Sequence, residues 1–341
     1  MTMLWKTAVV LFIIGAVIAS GCYVLSKPPG READPETPKE KQTDFAAGRE
    51  GGKAVPFDAK RAMGYLKSIC DIGPRISGTD GMKKQQELIE KHFKDLDAKV
   101  TYQKFTARQV SRRRPTDMAN MIVSFHPDRE RRVILCSHYD TRPIADQEDD
   151  RRNWQKPFVS ANDGGSGVAL LMELGNHMKD LETKVGVDFV FFDGEEFIFD
   201  HDNDHYFFGS QEFADQYKKG KGKTKYVAAI LLDMVAGKEM NFPAEGHSVT
   251  LAGPLLESVW GVAKDLKVKA FEQDFGPSVE DDHVPLNKAG IPAIDIIDLS
   301  NGKNIFNYPH WHKLTDTPEN CSGDSMAQVA RVLSVWLGRM K

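Results

Sequence analysis

Asp193-Gly194-Glu195-Glu196 ends an apolar run, Val187–Phe192, with two adjacent carboxylates. Adjacent residues project to opposite sides of an extended strand. One carboxylate can therefore bind a cation while its neighbour moves protons. His138 and Asp140, Asp163, Asp233, Asp281 and Asp282, and His312 also lie where predicted strands end or loops begin. His and carboxylate are zinc-ligand types, and a catalytic zinc takes three of them and keeps one position open. Asp163, Glu196 and His312 supply that set, and Asp140 then orients His138. Plainer readings exist for several of these residues. Asp163 precedes Gly-Gly and reads equally as a helix cap. Asp281-Asp282-His283 reads as a solvated turn, and Trp311-His312 as a packed corner.

The elements that must carry these residues follow from periodicity. Val187–Glu196 is apolar without alternation up to its acids, the pattern of a strand buried on both faces of a parallel sheet. Further strands are expected at Val100–Phe105, Met118–Phe125, Arg132–Ser137, Tyr226–Met234 and Pro292–Asp298. Helices are expected at Phe57–Cys70, Asp80–Leu96, Gly164–Met178, Gly209–Tyr217, Leu255–Leu266 and Ser322–Leu337. Strands alternating with helices predict an α/β fold, a doubly wound, mostly parallel sheet with helices on both faces. Ligands of such sheets bind beyond the carboxyl ends of the strands, where the acids lie.

The ends and the composition frame the rest. The chain has 341 residues, 28% of them charged, with a formal net charge of -4. Its short basic runs, Arg112–Arg114 and Arg131–Arg132, read as solvated loops, so nucleic acid is not an expected partner. Thr7–Leu25 carries no charge and reads as a signal or a single membrane span. Ala19-Ser20-Gly21-Cys22 resembles a bacterial lipobox. Residues 1–26 are thus an expected leader, lipobox or membrane anchor. Residues 27–55, rich in Pro, Gly, Lys and Glu, are an expected flexible tether. Residues 56–341 form the expected catalytic domain, held in the cell envelope outside the cytoplasm. The four Cys residues lack CxxC spacing, which argues against Cys-ligated zinc.

The motifs also carry a family resemblance. Ser137-His138-Tyr139-Asp140-Thr141, Ala161-Asn162-Asp163-Gly164-Gly165-Ser166-Gly167, Asp193-Gly194-Glu195-Glu196 and Trp311-His312 resemble the zinc aminopeptidase family of co-catalytic exopeptidases. Ile72-Gly73-Pro74-Arg75 fits the same family's entry turn. Within that superfamily the chain is most similar to the animal-type glutaminyl-peptide cyclotransferases and their bacterial relatives. Leu231-Leu232-Asp233-Met234, Asn241-Phe242-Pro243 and Glu280-Asp281-Asp282-His283-Val284-Pro285 carry that closer likeness. The resemblance implies one zinc on Asp163, Glu196 and His312, with Glu195 as acid/base and Asp233 and Asp281 hydrogen-bonding around the reacting centre. It places Trp311 and Glu280 at the substrate pocket, and His201 where the cyclases have a pocket Trp. The implied substrates are peptide or protein N-termini that begin with Gln. The alternative is a two-zinc aminopeptidase, in which His138 and Asp233 complete a second site that shares Asp163. The Gly-Gly-Ser-Gly after Asp163 is aminopeptidase-like. Val168 stands where the animal cyclases have a Cys, so their disulfide is not expected. A catalytically dead binding protein with the same fold would lack a ligand, and none of the expected ligand types is missing.

Overall fold

The computed structural model describes residues 51–220, 224–298 and 309–340. The expected leader and most of the tether lie outside them. Among the described residues no helix is long and apolar enough to cross a membrane. Residues 51–55 already pack on the domain, since Val55 N donates to Ser334 Oγ and Arg339 Nε donates to Gly51 O.

The elements in chain order begin α1 (Ala59–Cys70), α2 (Asp80–Asp95), β1 (Lys99–Ala107), β2 (Thr116–Phe125), β3 (Arg131–His138), α3 (Ser166–Gly175) and β4 (Gly186–Phe192). They continue α4 (Phe208–Lys219), β5 (Lys225–Asp233), β6 (Phe242–Ala244), α5 (Gly246–Asp265), β7 (Phe271–Phe275), α6 (His283–Lys288), β8 (Ala293–Ile297) and α7 (Gly323–Arg339). Local chemistry sets the helix starts. Asp58 accepts from Arg61 N ahead of α1, and Thr79 accepts from Met82 N ahead of α2.

The main sheet has six strands in the order β1-β2-β4-β3-β5-β8. β4, β3, β5 and β8 run parallel, whereas β1 and β2 pair antiparallel with each other and β2 with β4. The expected doubly wound sheet is therefore present with an antiparallel edge. Side chains from one face of the sheet, among them Val133, Leu135, Phe189 and Ile230, pack with α1, α2, α3, α5 and α7. Ile134, Cys136, Val190 and Leu231 point the other way, towards Phe213 of α4 and Leu286 of α6. The chain goes from β3 to β4 on one side of it and then to β5 on the other. That reversal opens a crevice at the carboxyl ends of these strands.

The structure sharpens three readings. The apolar run ahead of the paired acids is β4, which stops at Phe192 and leaves both acids beyond its carboxyl end, because Gly194 takes φ +74° and turns the chain out of the sheet. The helix expected from Leu255 is preceded by a further helical segment from Gly246, and the two meet across a kink at Ala252, so Pro254 stands in the first turn after the kink. Asp281-Asp282-His283 is no solvated turn. All three residues are buried, and His283 begins α6.

Candidate active site and metal centre

Four strand ends and the loops beyond them bring the singled-out residues together. His138 ends β3 opposite Phe192 of β4 in the ladder, and Asp233 ends β5. Backbone N–H groups captured by buried carboxylates fix the connecting loops. Asp140 accepts from both Glu195 N and Glu196 N at 3.1 Å, so it aims the paired acids by holding their backbone. It lies 3.6 Å from His138 Nδ1, too far for the orienting hydrogen bond expected from the sequence. Asp316 does for Asp163 what Asp140 does for the paired acids, accepting from Asn162 N at 2.8 Å and Asp163 N at 3.1 Å. Arg75, fully buried, donates to the carbonyls of Val159 and Ser160 just upstream. Asp163 caps nothing, since the residue preceding α3 is Gly165 and makes no side-chain cap.

Gly164 is required by space and by conformation. At φ +74°, an added Cβ would lie 2.6 Å from Asp140 O and 2.9 Å from the His138 ring. Met234, Phe207 and His312 also hold positive φ. Strain of this kind gathers where side chains are aimed for function.

The carboxylate of Asp163 stands between two donor sets. Its Oδ1 lies 3.1 Å from His138 Nε2, which is 3.3 Å from Asp233 Oδ1. Its Oδ2 lies 3.5 Å from His312 Nε2, which is 2.6 Å from Glu196 Oε1. His138, Asp163 and Glu196 offer ligand atoms all within 4.8 Å of one another. Several of these atoms are buried with no hydrogen-bond partner: His138 Nδ1 and Nε2, Asp163 Oδ2, Glu196 Oε2, Asp233 Oδ1 and His312 Nε2. Buried polar atoms normally find partners, so this cluster of orphans fits a divalent cation, and its N/O donor set suits zinc.

Two groups that the sequence did not single out complete the His312 side. Asp146 Oδ1 accepts from His312 Nδ1 at 2.9 Å, which turns Nε2 towards Asp163 and Glu196. Arg142, fully buried, donates to Asp146 at 2.7 Å and to the Tyr206 hydroxyl at 3.2 Å, and lies 3.4 Å from Glu196. Asp146 sits in what reads as a polar loop, 166 residues from its partner, and nothing in local spacing marks it.

The charges perturb one another strongly. Burial pushes Glu195 well above the usual carboxylate range, and Glu196, Asp281 and Asp282 add to this against the opposing His138. Burial together with Asp233 and Asp282 raises Asp281 likewise. Burial alone would lower the His312 imidazole, but Glu196 and Asp146 outweigh it and hold it at about 9. A cation at these acids would displace those protons from the imidazoles.

A cavity of about 270 Å³ opens onto the cluster. Asp163, Glu195, Glu196, Asp233, Asp281 and His312 reach it, with apolar walls from Phe207, Met234, Val279, Ile297 and Trp311. Trp311 stacks on His312 with ring centroids 4.1 Å apart. His201 and Glu280 line the cavity from exposed positions. Asp163, Glu195, Glu196, His201, Asp233, Glu280, Asp281, Trp311 and His312 thus line one cavity, and His138 meets them through Asp163 and Asp233.

Residues 120–337 match peptidase family M28. The chain belongs to that family. Among solved structures, a glutaminyl cyclase from Fimbriiglobus ruber is 49% identical, over 85% of this chain and 97% of that one, with a TM-score of 0.81. A Zn-dependent exopeptidase from Parabacteroides distasonis is 29% identical, over 84% of this M28 chain and 99% of that one, with a TM-score of 0.77. A glutaminyl-peptide cyclotransferase-like protein of Bos taurus is 24% identical over 298 residues, 80% of this chain and 73% of that protein.

Proposed function

We propose that this M28 chain is a glutaminyl-peptide cyclotransferase, closing an N-terminal Gln into pyroglutamate with release of ammonia. The observation that carries the reading is Glu195, a buried carboxylate with a raised pKa beside a candidate metal centre, facing a cavity of about 270 Å³ with apolar walls. The 49% identity to the Fimbriiglobus cyclase supports it.

The substrate's α-amino nitrogen attacks its own side-chain carbonyl carbon. The new C–N bond closes a five-membered lactam as the bond to the amide nitrogen breaks. The nucleophile arrives tethered, so a large effective molarity is built into the substrate. Glu195 takes a proton from the attacking amine and returns one to the departing nitrogen, which leaves as ammonia. Asp281, close to Glu195, accepts hydrogen bonds from that nitrogen, and Asp233 orders the same cluster. Asp163, Glu196 and His312 would hold the zinc, with Asp146 fixing the His312 tautomer. Zinc bound there supplies Lewis acidity at the side-chain carbonyl oxygen. The apolar walls and Trp311 enclose a short uncharged side chain.

One observation favours a second reading. His138 Nε2 and Asp233 Oδ1 face Asp163 Oδ1 as a second donor set, the arrangement a two-metal aminopeptidase needs. The two readings separate in one preparation of the domain from residue 51 onward. One zinc per chain and ammonia release from a Gln-initiated peptide are expected. Two tightly held zincs with hydrolysis of aminoacyl anilides, and no ammonia, would overturn the cyclase in favour of the peptidase.

A further inference from the structure

The cavity that receives the substrate is lined among the described residues by six carboxylates, Asp163, Glu195, Glu196, Asp233, Glu280 and Asp281, and by no Lys or Arg. Five of the six are buried or nearly so at the candidate metal centre. Glu280 differs, because its side chain is 62% exposed. The other exposed lining residues are Gln147 and His201. Neither carries a fixed charge, so the carboxylate at the described part of the mouth is that of Glu280. His247 lies beside it, with Nε2 3.2 Å from Glu280 Oε1, and offsets that charge only when the imidazole is protonated.

The loops that present Glu280 and His201 are held in place. Glu245 Oε1 accepts from Val279 N at 2.8 Å, which anchors the backbone one residue before Glu280. The His201 loop is tied down by Asp204, which accepts from Ser111 N and from Phe199 N, each at 2.9 Å. Gln109, fully buried, binds the same loop through the carbonyls of Phe197 and His205. The cavity of about 270 Å³ reaches from the candidate metal centre to exposed Glu280 and takes the N-terminal Gln. Successive Cα atoms are about 3.8 Å apart, so with the N-terminal Gln inside, the second residue sits at the mouth.

The geometry points to Glu280 as a specificity-determining residue that favours Gln-initiated peptides with a cationic second residue over those with an acidic one. The inference rests on the cyclase reading and names the substrate class within it. The bias comes from a partly solvated pair at the mouth, added to the field of the acids behind it. It therefore weakens as salt rises.

The test compares kcat/KM for ammonia release from three amidated peptides, Gln-Lys-Ala, Gln-Ala-Ala and Gln-Glu-Ala. They are assayed at one pH and at low salt, on the wild type, Glu280→Gln and Glu280→Lys. The wild type should prefer the Lys peptide to the Glu peptide by about fivefold or more. Glu280→Gln should cut that ratio about threefold, mainly through KM, and Glu280→Lys should invert it. The ratio is taken within each protein, so a general loss of activity in a variant does not affect it. The same ratio in all three proteins, with the Ala peptide turned over, would overturn the mouth assignment and leave the cyclase reading standing. No ammonia from any peptide with the wild type would overturn both.

Discussion

Glu195 and Glu196 leave the same backbone turn and serve different sides of the cluster. Glu196 meets His312 and Arg142, while Glu195 Oε2 lies 3.6 Å from His138 Nδ1 and faces the cavity. Glu195→Gln keeps the shape and removes the proton-carrying oxygen, so kcat should fall about 10²- to 10⁴-fold. Zinc content and KM should change little, because Glu195 is not in the ligand set. Ammonia-release kinetics alongside metal counting check this, and unchanged turnover would take Glu195 out of the chemistry. The split between the two acids was legible in the sequence, but for a reason that does not hold here. Strand alternation does not reach them, and Asp140 aims them by capturing both backbone N–H groups. The ligand types were readable because each stands at a strand end or in a recognisable motif. Asp146, Arg142 and Asp316 were not, because each acts by meeting a residue remote in sequence, and no periodicity records such a meeting.

At the scale of elements, the long apolar runs marked out the parallel strands, since a strand buried on both faces has little choice of residue. The elements that escaped are short or hold proline. β6 is three residues centred on Pro243, and α6 is six residues with Pro285 inside, too few for a helical period to show. The start of α5 was hidden for another reason. Its cap is Glu245, outside the Ser, Thr, Asp and Asn set that marks helix starts, and the kink at Ala252 separates its first segment from the part that the sequence reads as helix. That Glu also does more than cap. It accepts from His247 N, Ser248 N, Ser248 Oγ and Val279 N, and lies 3.2 Å from His283 Nε2, so it ties α5 to α6 and to the loop carrying Glu280 and Asp281. Burial would raise its pKa, but the bonds from His283 and the Val279 N–H outweigh this and pull it down to about 2 from 4.5. A carboxyl depressed in the folded state adds stability above its unfolded pKa and loses it as pH falls through the folded one. The shift is worth about 3 kcal/mol. Glu245→Gln should therefore unfold about 2–3 kcal/mol more easily at about pH 7. The gap should shrink below about pH 4.5 and close towards about pH 2, and denaturant unfolding across that range reads it. A gap that stayed constant over that range would mean the carboxylate's charge is not what holds the three segments.

For the whole molecule, the crevice concentrates what a core normally avoids. His138, Asp163, Glu195, Glu196, Asp233, Asp281 and His312 come from the ends of β3 and β5 and from separate loops, and only cross-contacts hold those loops together. Their orphaned donors leave like charges facing one another in a region nearly closed to water. A bound cation answers that repulsion and cross-links the loops, and it stabilises the fold by mass action because the unfolded chain has no such site. At about a thousandfold excess over Kd the gain is about 4 kcal/mol, and at about 2 °C per kcal/mol for a chain of this length that is about 8 °C in Tm. Stripping the protein with a chelator should lower Tm by that order, and adding zinc back should restore it. The loss should be local first, with faster amide exchange in the loops beyond β3 and β4 and around His312, while the strands behind them, packed on both faces, stay protected. His312→Ala, deprived of a ligand, should show a Tm that no longer responds to chelator or zinc. A wild-type protein whose Tm and exchange pattern ignore chelator, at confirmed metal loss, would mean that the acids of the crevice are reconciled by protons alone.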